Sequence, residues 1–304
     1  MPISPLNQLR RMPLYRMIVI DLDGTLLSPA GQVTPRVKDA IHRALGAGLL
    51  VCFATGRNWT ESKDILDALN HYPTAVFVGG AMVVDTHQQV TLHRTTMESE
   101  LAAQACRLLE ESGHAAMALQ DLGEAGVEYL IAESVPLNAA TQAWMNVTNA
   151  QVTRLPTLAD HPHDRTIRLG ICAPPDEVRD VKQALEERFG SRILCQNLMV
   201  PTYGVEVLEI FDPAVNKWEG ILHIARRHKI EPDQIVAIGD DVNDLPMIRS
   251  AGLGVAMGNA RPEVRAAAAR VIGSNRDDGL ADFLDELVDR HEVEPVDDND
   301  DSSS

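Results

Sequence analysis

Short apolar segments alternate with amphipathic helical patterns in the first and last thirds of this 304-residue chain. In the first third, residues 17–20, 49–54 and 75–78 are predicted strands, and helical patterns separate them. The last third, residues 216–290, repeats the alternation. Successive parallel strands need a crossover connection, which is usually a helix. The alternation therefore predicts an α/β fold with a doubly wound parallel sheet.

The middle of the chain has a different pattern, because its predicted strands often follow one another without a helix between them. This pattern predicts a separate α+β domain inserted into the α/β domain. We expect the α/β core at 16–82 and 204–290, and the inserted domain at 83–203. Residues 1–15 are expected to be a flexible extension, and residues 291–304, which are rich in Asp and Glu, a disordered acidic tail.

The strand predicted at 17–20 ends in the motif Asp21-Leu22-Asp23-Gly24-Thr25-Leu26. Ligands bind at the carboxyl ends of the strands in an open α/β sheet. Asp21 and Asp23 repel each other unless a cation lies between them or one of them is protonated. Mg²⁺ prefers such oxygen ligands and often accompanies a substrate phosphate. Gly24 permits a tight turn and Thr25 offers donors to an anion, so we expect a magnesium and phosphate site here, with an ordinary Asp-Gly turn as the alternative.

Two further segments lie just after a predicted strand of the core. Thr55-Gly56-Arg57 precedes a helix, and a helix N-terminus favours anions, although an ordinary strand-to-helix turn explains this tripeptide equally well. Lys217 opens another helix, where a cation is unfavourable unless an anion lies nearby. The alternative for Lys217 is an ordinary surface lysine.

The segment Gly239-Asp240-Asp241-Val242-Asn243-Asp244 follows the strand predicted at 235–238. Three carboxylates and an amide so close together need a cation or a helix N-terminus to offset their repulsion. Asn243 or Asp244 can cap the next helix, but capping explains only one of these residues. We therefore expect a metal site in this segment.

The composition restricts the classes of partner. A net charge of −17 and an aromatic content of 4 % argue against nucleic acid and against an anionic membrane surface. Four scattered cysteines fit a reducing cytoplasm, and residues 1–16 lack the apolar segment of a signal peptide. We expect a cytoplasmic protein whose partner is a small phosphorylated molecule.

Two other patterns are expected to have no such role. His161-Pro162-His163-Asp164 could bind a transition metal, but it falls in a predicted loop at 151–165 and is expected to be solvent-exposed. Gly252-Leu253-Gly254 with Gly258 does not fit the G-x-G-x-x-G pattern, so dinucleotide binding is not expected.

Taken together, these segments resemble the haloacid dehalogenase-like superfamily, and within it the Cof-type phosphatases with a large C2-type cap. The resemblance covers most of residues 16–290 and rests on the motifs that begin at Asp21 and Gly239. The segments Ala256-Met257-Gly258-Asn259-Ala260 and Ser274-Asn275-Arg276-Asp277-Asp278-Gly279 are also similar to this subfamily. One departure is Gly79, which stands where the family usually has asparagine.

The resemblance implies a Mg²⁺-dependent phosphatase that works through an aspartyl-phosphate. Asp21 is then the nucleophile, Asp23 the general acid and base, and Lys217 the residue that neutralises charge. The implied metal ligands are Asp21, Asp23 through its backbone carbonyl, Asp240 and Asp244. The implied substrate and phosphate contacts are Gly24, Thr25, Thr55, Gly56, Arg57 and Asn243.

Two other functions stay open. A phosphomutase or phosphotransferase could use the same core if the cap shields the aspartyl-phosphate from water. A non-catalytic phospholigand-binding protein is the other, although it would not require Asp21, Asp23, Lys217 and Asp240 together. Cap loops at 121–124 and 199–203 are candidate substrate contacts by position.

Overall fold

The computed structural model describes residues 15–148, 151–200 and 205–293. Nearly all of the extension predicted at 1–15 and of the tail predicted at 291–304 lies outside these residues. The chain divides into two compact units. The first unit contains the described residues of 1–54, 68–73 and 221–304, and the second unit contains those of 55–67 and 74–220. The domain boundaries expected from the sequence stay predictions.

The strands in the described residues are β1 (Met17–Ile20), β2 (Leu50–Phe53), β3 (Thr74–Phe77), β4 (Met82–Asp85), β5 (Val90–Arg94), β6 (Met117–Gln120), β7 (Tyr129–Ala132), β8 (Val152–Leu155), β9 (Thr166–Ala173), β10 (Leu194–Val200), β11 (Val205–Phe211), β12 (Ile235–Gly239), β13 (Leu253–Ala256) and β14 (Arg270–Val271). The helices are α1 (Pro35–Gly46), α2 (Trp59–Leu69), α3 (Ser99–Glu111), α4 (Leu122–Ala125), α5 (Ala139–Thr148), α6 (Pro175–Phe189), α7 (Lys217–Arg227), α8 (Leu245–Ser250), α9 (Pro262–Ala267) and α10 (Gly279–Val293). None of these helices combines the length and the apolar character that crossing a membrane requires.

The first unit is built on a parallel five-stranded sheet in the order β14-β13-β12-β1-β2. All four residues of β1 are fully buried, because β1 lies between two other strands and helices cover the sheet. Helix α1 begins at Pro35, and the hydroxyl of the preceding Thr34 caps it by accepting the Val37 N–H at 3.2 Å. The parallel α/β fold predicted from the alternation is confirmed.

The second unit contains a mixed six-stranded sheet in the order β10-β11-β9-β6-β7-β8. One face of this sheet packs on α3 and α6 and forms a continuous apolar core. The sheet residues in that core include Ala118, Leu130, Leu169, Ile171, Leu208 and Ile210.

The sequence predicts residues 75–78 as a strand of the parallel sheet, but the strand at this position belongs to a different sheet. Strand β3 forms a separate antiparallel sheet in the order β3-β4-β5. The chain reverses directly after β3 because Val78, Gly79 and Gly80 have φ angles of 53°, 65° and 115°. A β-branched residue rarely adopts a positive φ, so nothing in the sequence pattern indicates this reversal.

The loop predicted at 151–165 is partly wrong. Residues 152–155 form β8, which pairs in parallel with β7 at the edge of the six-stranded sheet. Its side chains are half-buried or exposed and their burial does not alternate, because this edge strand has little apolar character. The expected exposure of His163 is also wrong: its side chain is fully buried and bonds to Thr166 Oγ1 and the Leu158 carbonyl, both at 2.8 Å.

Candidate active site

The loop after β1 presents Asp21 and Asp23 in different environments. Asp21 is 4 % exposed, whereas Asp23 is exposed to solvent. The loop closes as a wide turn, in which the Leu26 and Leu27 N–H groups donate to the Asp21 and Leu22 carbonyls at 3.2 and 2.9 Å. A buried carboxylate and an accessible one therefore stand two residues apart, and the accessible one can exchange protons with water.

Three carboxylates of the first unit come together at the end of the parallel sheet. Oxygen atoms of Asp21, Asp240 and Asp244 lie within 4.8 Å of one another. No other group of three His, Cys, Asp or Glu side chains is this close within the described parts of the chain. The Asp23 carboxylate, a predicted metal ligand only through its backbone, is not part of this group.

The residues in this group fit a hard divalent cation. Three carboxylates at such distances repel one another, and an ion that prefers oxygen ligands removes that repulsion. The Oδ1 atom of Asn243 is buried and has no hydrogen-bond partner among the described residues. Such an atom has a large desolvation cost unless a ligand or a water bonds to it, which agrees with the expectation that Asn243 faces a bound group.

Asp244 also holds its own loop together. Its Oδ2 atom accepts the backbone N–H groups of Asp240 at 2.9 Å and of Asp241 at 3.1 Å. A side chain on Gly239 would place its Cβ 2.4 Å from the same oxygen, so only glycine fits there. Asp244 thereby fixes the position of Asp240.

Of the two residues predicted to cap the next helix, Asp244 is the N-cap of α8, although its side chain makes no capping hydrogen bond to α8. Asp241 is the N-cap of the short 3₁₀ turn at 242–244, and its Oδ1 atom accepts the Val242 N–H at 2.7 Å. Asp244 completes a capping box with Asp241, because its carboxylate accepts the Asp241 N–H. The Arg261 guanidinium contacts Asp241 at 2.6 Å, which balances part of the charge.

Gly24 and Thr25 bring the first loop against Asp240. The Thr25 hydroxyl donates to Asp240 Oδ1 at 3.2 Å. At Gly24 a Cβ atom would lie 2.2 Å from Asp240 Oδ2, and its φ of 78° is unfavourable for other residues. In the structure, therefore, Thr25 orients the predicted metal ligand Asp240.

Two asparagines that had no predicted role hold the same loop. The Asn259 side-chain amide donates to the Gly24 carbonyl at 2.8 Å, and its oxygen accepts the Asn275 N–H at 2.9 Å. Asn275 in turn donates its side-chain amide to the Leu27 carbonyl at 2.7 Å. Their position after β13 and β14, at the ligand-binding edge of the sheet, is the signal that could have identified them.

In the second unit, Thr55 lies in a tightly bonded turn. Its N–H donates to the Val76 carbonyl at 2.9 Å, and its carbonyl accepts the Gly79 N–H at 3.0 Å. Its buried hydroxyl accepts the Arg57 N–H at 3.1 Å. A Cβ on Gly56 would meet no atom within 4 Å, so the packing does not require glycine there.

Lys217 is the first residue of α7, and its side chain is only 1 % exposed. The alternative of an ordinary surface lysine is therefore wrong. A lysine is almost never fully buried unless an anion compensates its charge. The start of α7 lies against the turn after β3, since a Cβ on Gly80 would be 2.0 Å from the Asn216 carbonyl oxygen.

The substrate contacts predicted for the cap loops at 121–124 and 199–203 stay predictions. Asp121 is buried, accepts the Gly123 N–H at 3.1 Å at the start of α4, and pairs with Arg94 at 3.2 Å. These contacts give Asp121 a structural role. Most of the loop at 199–203 lies outside the described residues.

Comparisons with known proteins agree with this arrangement. Residues 18–284 match the model of a family described as haloacid dehalogenase-like hydrolase. The chain is 30 % identical over 289 residues to the 5-amino-6-(5-phospho-D-ribitylamino)uracil phosphatase YwtE of Bacillus subtilis. The aligned region covers 90 % of this chain and 98 % of that protein. It is 27 % identical over 271 residues to the pyridoxal phosphate phosphatase YbhA of Escherichia coli, covering 88 % and 97 % of the two chains.

The fold has the same relatives. A haloacid dehalogenase-like hydrolase from Bacteroides thetaiotaomicron superposes with a TM-score of 0.75 at 21 % identity, over 90 % of this chain and 99 % of that one. The family match includes both stretches of sequence that form the parallel sheet and the segment of sequence between them. The chain belongs to the haloacid dehalogenase-like hydrolases, and within them it is a Cof-type phosphatase that acts on phosphoric monoesters.

Proposed function

We propose that this protein is a Mg²⁺-dependent phosphatase of small phosphorylated metabolites that works through an aspartyl-phosphate on Asp21. The observation that carries the proposal is the group of three carboxylates, Asp21, Asp240 and Asp244, within 4.8 Å at the end of β1. The YwtE and YbhA proteins are named for a phosphorylated ribitylaminouracil and for pyridoxal phosphate, which supports a sugar phosphate or a phosphorylated cofactor as the substrate.

The two aspartates of the first loop have separate roles in this proposal. A carboxylate oxygen of Asp21 attacks phosphorus, the new O–P bond forms, and the bond from phosphorus to the leaving oxygen breaks. Asp23 donates its proton to the leaving oxygen. It then takes a proton from water, which attacks phosphorus and releases inorganic phosphate and the Asp21 carboxylate. The exposure of Asp23 supports this assignment, since that side chain must reach both substrate and water.

The remaining residues provide charge and position. Asp21, Asp240, Asp244 and the backbone carbonyl of Asp23 would hold Mg²⁺, which supplies compensation for the negative charge of the phosphate and the nucleophile. Lys217 adds a second positive charge, and its burial strengthens the effect. Thr55, Gly56, Arg57 and Asn243 contact the phosphate or the substrate in this proposal.

The cytoplasm is the proposed location. All four cysteines are free thiols, as in proteins of reducing compartments. Burial raises the pKa of the Cys52 thiol to about 12, so this cysteine stays protonated and unreactive.

The first test of this function is release of inorganic phosphate from a panel of sugar phosphates and phosphorylated cofactors, with Mg²⁺ and with excess chelator. Release that the chelator abolishes is expected, because the three carboxylates need the ion. Asp21→Asn should lower kcat by a factor of at least about 10³, since the amide is no longer a nucleophile. The matched control is Asp39→Asn on the exposed face of α1.

The Asp23→Asn variant tests the acid and base role. It should accumulate phosphorylated protein, detectable by mass spectrometry, because the intermediate forms but water is not activated.

Normal turnover by Asp21→Asn would refute the assigned nucleophile. Transfer of phosphate to a second sugar without release into solution would indicate a phosphomutase or phosphotransferase.

A further inference from the structure

A polar group joins the six-stranded sheet of the second unit to the start of α2. Leu119 pairs with both Tyr129 and Arg168 across the neighbouring strands, so Tyr129 and Arg168 point to the same face of the sheet. Glu209 lies on that face as well, because it pairs with Gly170, two residues from Arg168. This face is opposite to the one that packs on α3 and α6.

The contacts within this group centre on one hydroxyl. Arg168 Nη2 donates to Tyr129 Oη at 3.0 Å, and Glu209 pairs with Nη1 of the same guanidinium. Asn58 Nδ2 also donates to Tyr129 Oη, at 3.4 Å. Tyr129 is 3 % exposed and Asn58 is 4 % exposed. Burial raises the pKa of Tyr129, so the hydroxyl stays neutral and continues to accept these bonds.

Asn58 has a second function in the same place, since it starts α2. Its Oδ1 atom accepts the Glu61 N–H at 2.8 Å, and Glu61 Oε2 accepts the Asn58 N–H at 3.0 Å. This reciprocal pair is a capping box. The two ends of the Asn58 amide therefore bond to different elements, the oxygen to α2 and the nitrogen to the sheet.

The turn that contains Thr55 ends at Asn58. On the other side of the turn, the Val78 and Gly79 N–H groups bond to the Arg57 and Thr55 carbonyls at 2.9 and 3.0 Å. The backbone of residues 55–58 is thus held at one end by the reversal after β3 and at the other by Tyr129. A shift of either anchor moves the N–H groups of the turn.

We propose that Tyr129 is a positioning residue for the phosphatase reaction, which acts through Asn58 to hold the Thr55–Arg57 turn in the geometry that receives the phosphate. Arg168 and Glu209 fix the direction of the Tyr129 hydroxyl. The inference rests on the proposed function, because it assumes that this turn contacts phosphate. It extends that function by assigning part of the phosphate affinity to a side chain of the six-stranded sheet.

The test compares wild type with Tyr129→Phe, using p-nitrophenyl phosphate with Mg²⁺ and inorganic phosphate as a competitive inhibitor. Tyr129→Phe removes one oxygen and leaves the ring in place. We expect kcat/KM to fall about tenfold and the inhibition constant of phosphate to rise, because a misplaced turn binds phosphate less well. The matched control is Thr157→Val, which removes another hydroxyl of the second unit that bonds to Glu110 at 2.7 Å. It should change neither quantity.

A double-mutant cycle shows whether Tyr129 acts through Asn58. Asn58→Ser keeps a good helix cap and loses the amide nitrogen. The double variant with Tyr129→Phe should be no worse than the more impaired single variant, since both remove the same bond. Additive losses would overturn the inference, as would a Tyr129→Phe variant with unchanged phosphate inhibition. If Tyr129→Phe folds poorly, Arg168→Lys gives the same comparison, because lysine cannot make both bonds of the guanidinium.

Failure of the inference differs from failure of the function. A wild-type protein that neither hydrolyses p-nitrophenyl phosphate or the metabolite panel nor binds inorganic phosphate would overturn both. An active wild type with a fully active Tyr129→Phe variant would overturn the inference alone.

Discussion

At Gly24, a Cβ atom would lie 2.2 Å from a carboxylate oxygen of Asp240, and the backbone has a φ of 78°. Gly56 belongs to the other predicted phosphate contact, yet a Cβ there would meet no atom within 4 Å. Both glycines lie in segments that are predicted to contact phosphate. Their surroundings differ, because the close approach of the Asp240 carboxylate requires glycine at position 24, whereas nothing in the packing requires glycine at position 56.

These two glycines make a matched pair of substitutions. Gly24→Ala should lower kcat about a hundredfold, because the methyl group displaces Asp240 and the left-handed backbone costs about 1–2 kcal/mol. Gly56→Ala should retain activity within a factor of about three. Steady-state kinetics at saturating Mg²⁺ measure both. Equal losses in the two variants would contradict the assignment of a steric role to Gly24.

Among the elements, the short loops after β1, β13 and β14 are joined to one another by the hydrogen bonds of Asn259 and Asn275. The hydrogen bonds run from side chain to backbone across more than two hundred residues of sequence. Neither asparagine touches the three carboxylates in the contacts described above. Their role is to hold the loop that carries Asp21 and Asp23.

Asn259→Ala should lower kcat about tenfold, because the Gly24 carbonyl loses its donor and the loop can shift. The loss of one such bond should also destabilise the fold by about 1 kcal/mol. Activity assays and thermal unfolding of the same preparations measure the two effects. Asn197→Ala, on an exposed part of β10, is the control. If Asn259→Ala and this control had equal activity, the positioning role would be excluded.

The sequence predicts β1 with the bounds that the structure has, because a short continuous apolar run is typical of a buried parallel strand. Strand β8 was missed because an edge strand needs few apolar residues, and the reversal after β3 because it depends on a positive φ at Val78. The candidate metal site at the aspartates after β1 and β12 was predictable, since carboxylates close together in the sequence repel one another unless a cation offsets the repulsion. The roles of Asn259 and Tyr129 were not, because their hydrogen bonds depend on tertiary positions that no local pattern encodes.

At the scale of the whole molecule, the pH dependence of stability should reflect its buried carboxyl groups. Glu128 is 3 % exposed, and its carboxyl group is hydrogen-bonded to the Thr60 side chain. Burial raises the pKa of this carboxyl group. The folded protein therefore keeps a proton that the unfolded chain loses as the pH rises above about 4.3. The contribution of Glu128 to stability therefore decreases as the pH rises from about 4.3 through the raised pKa of the folded protein.

Glu128→Gln removes this titration and keeps an oxygen that accepts hydrogen bonds. The difference in Tm, variant minus wild type, should increase between pH 4 and pH 8, because only the wild type has a buried carboxylate at high pH. Thermal unfolding at several pH values measures it. The matched control is Glu219→Gln, at an exposed position of α7. If the Tm difference for Glu128→Gln changed with pH no more than the difference for this control, the burial of Glu128 would have no cost.

The pairing of β1 with β12 has a consequence for the order of events during synthesis. Met17 pairs with Ile235, so the strand that precedes Asp21 waits for roughly two hundred further residues before its second neighbour exists. A ribosome that adds about 5–20 residues per second needs on the order of 10–40 s for that stretch. During this time one edge of β1 has no native partner and can pair with other strands, which favours chaperone binding to the nascent chain. The residues of the second unit are completed in the interval, and catalytic competence appears only when the last third of the chain has emerged.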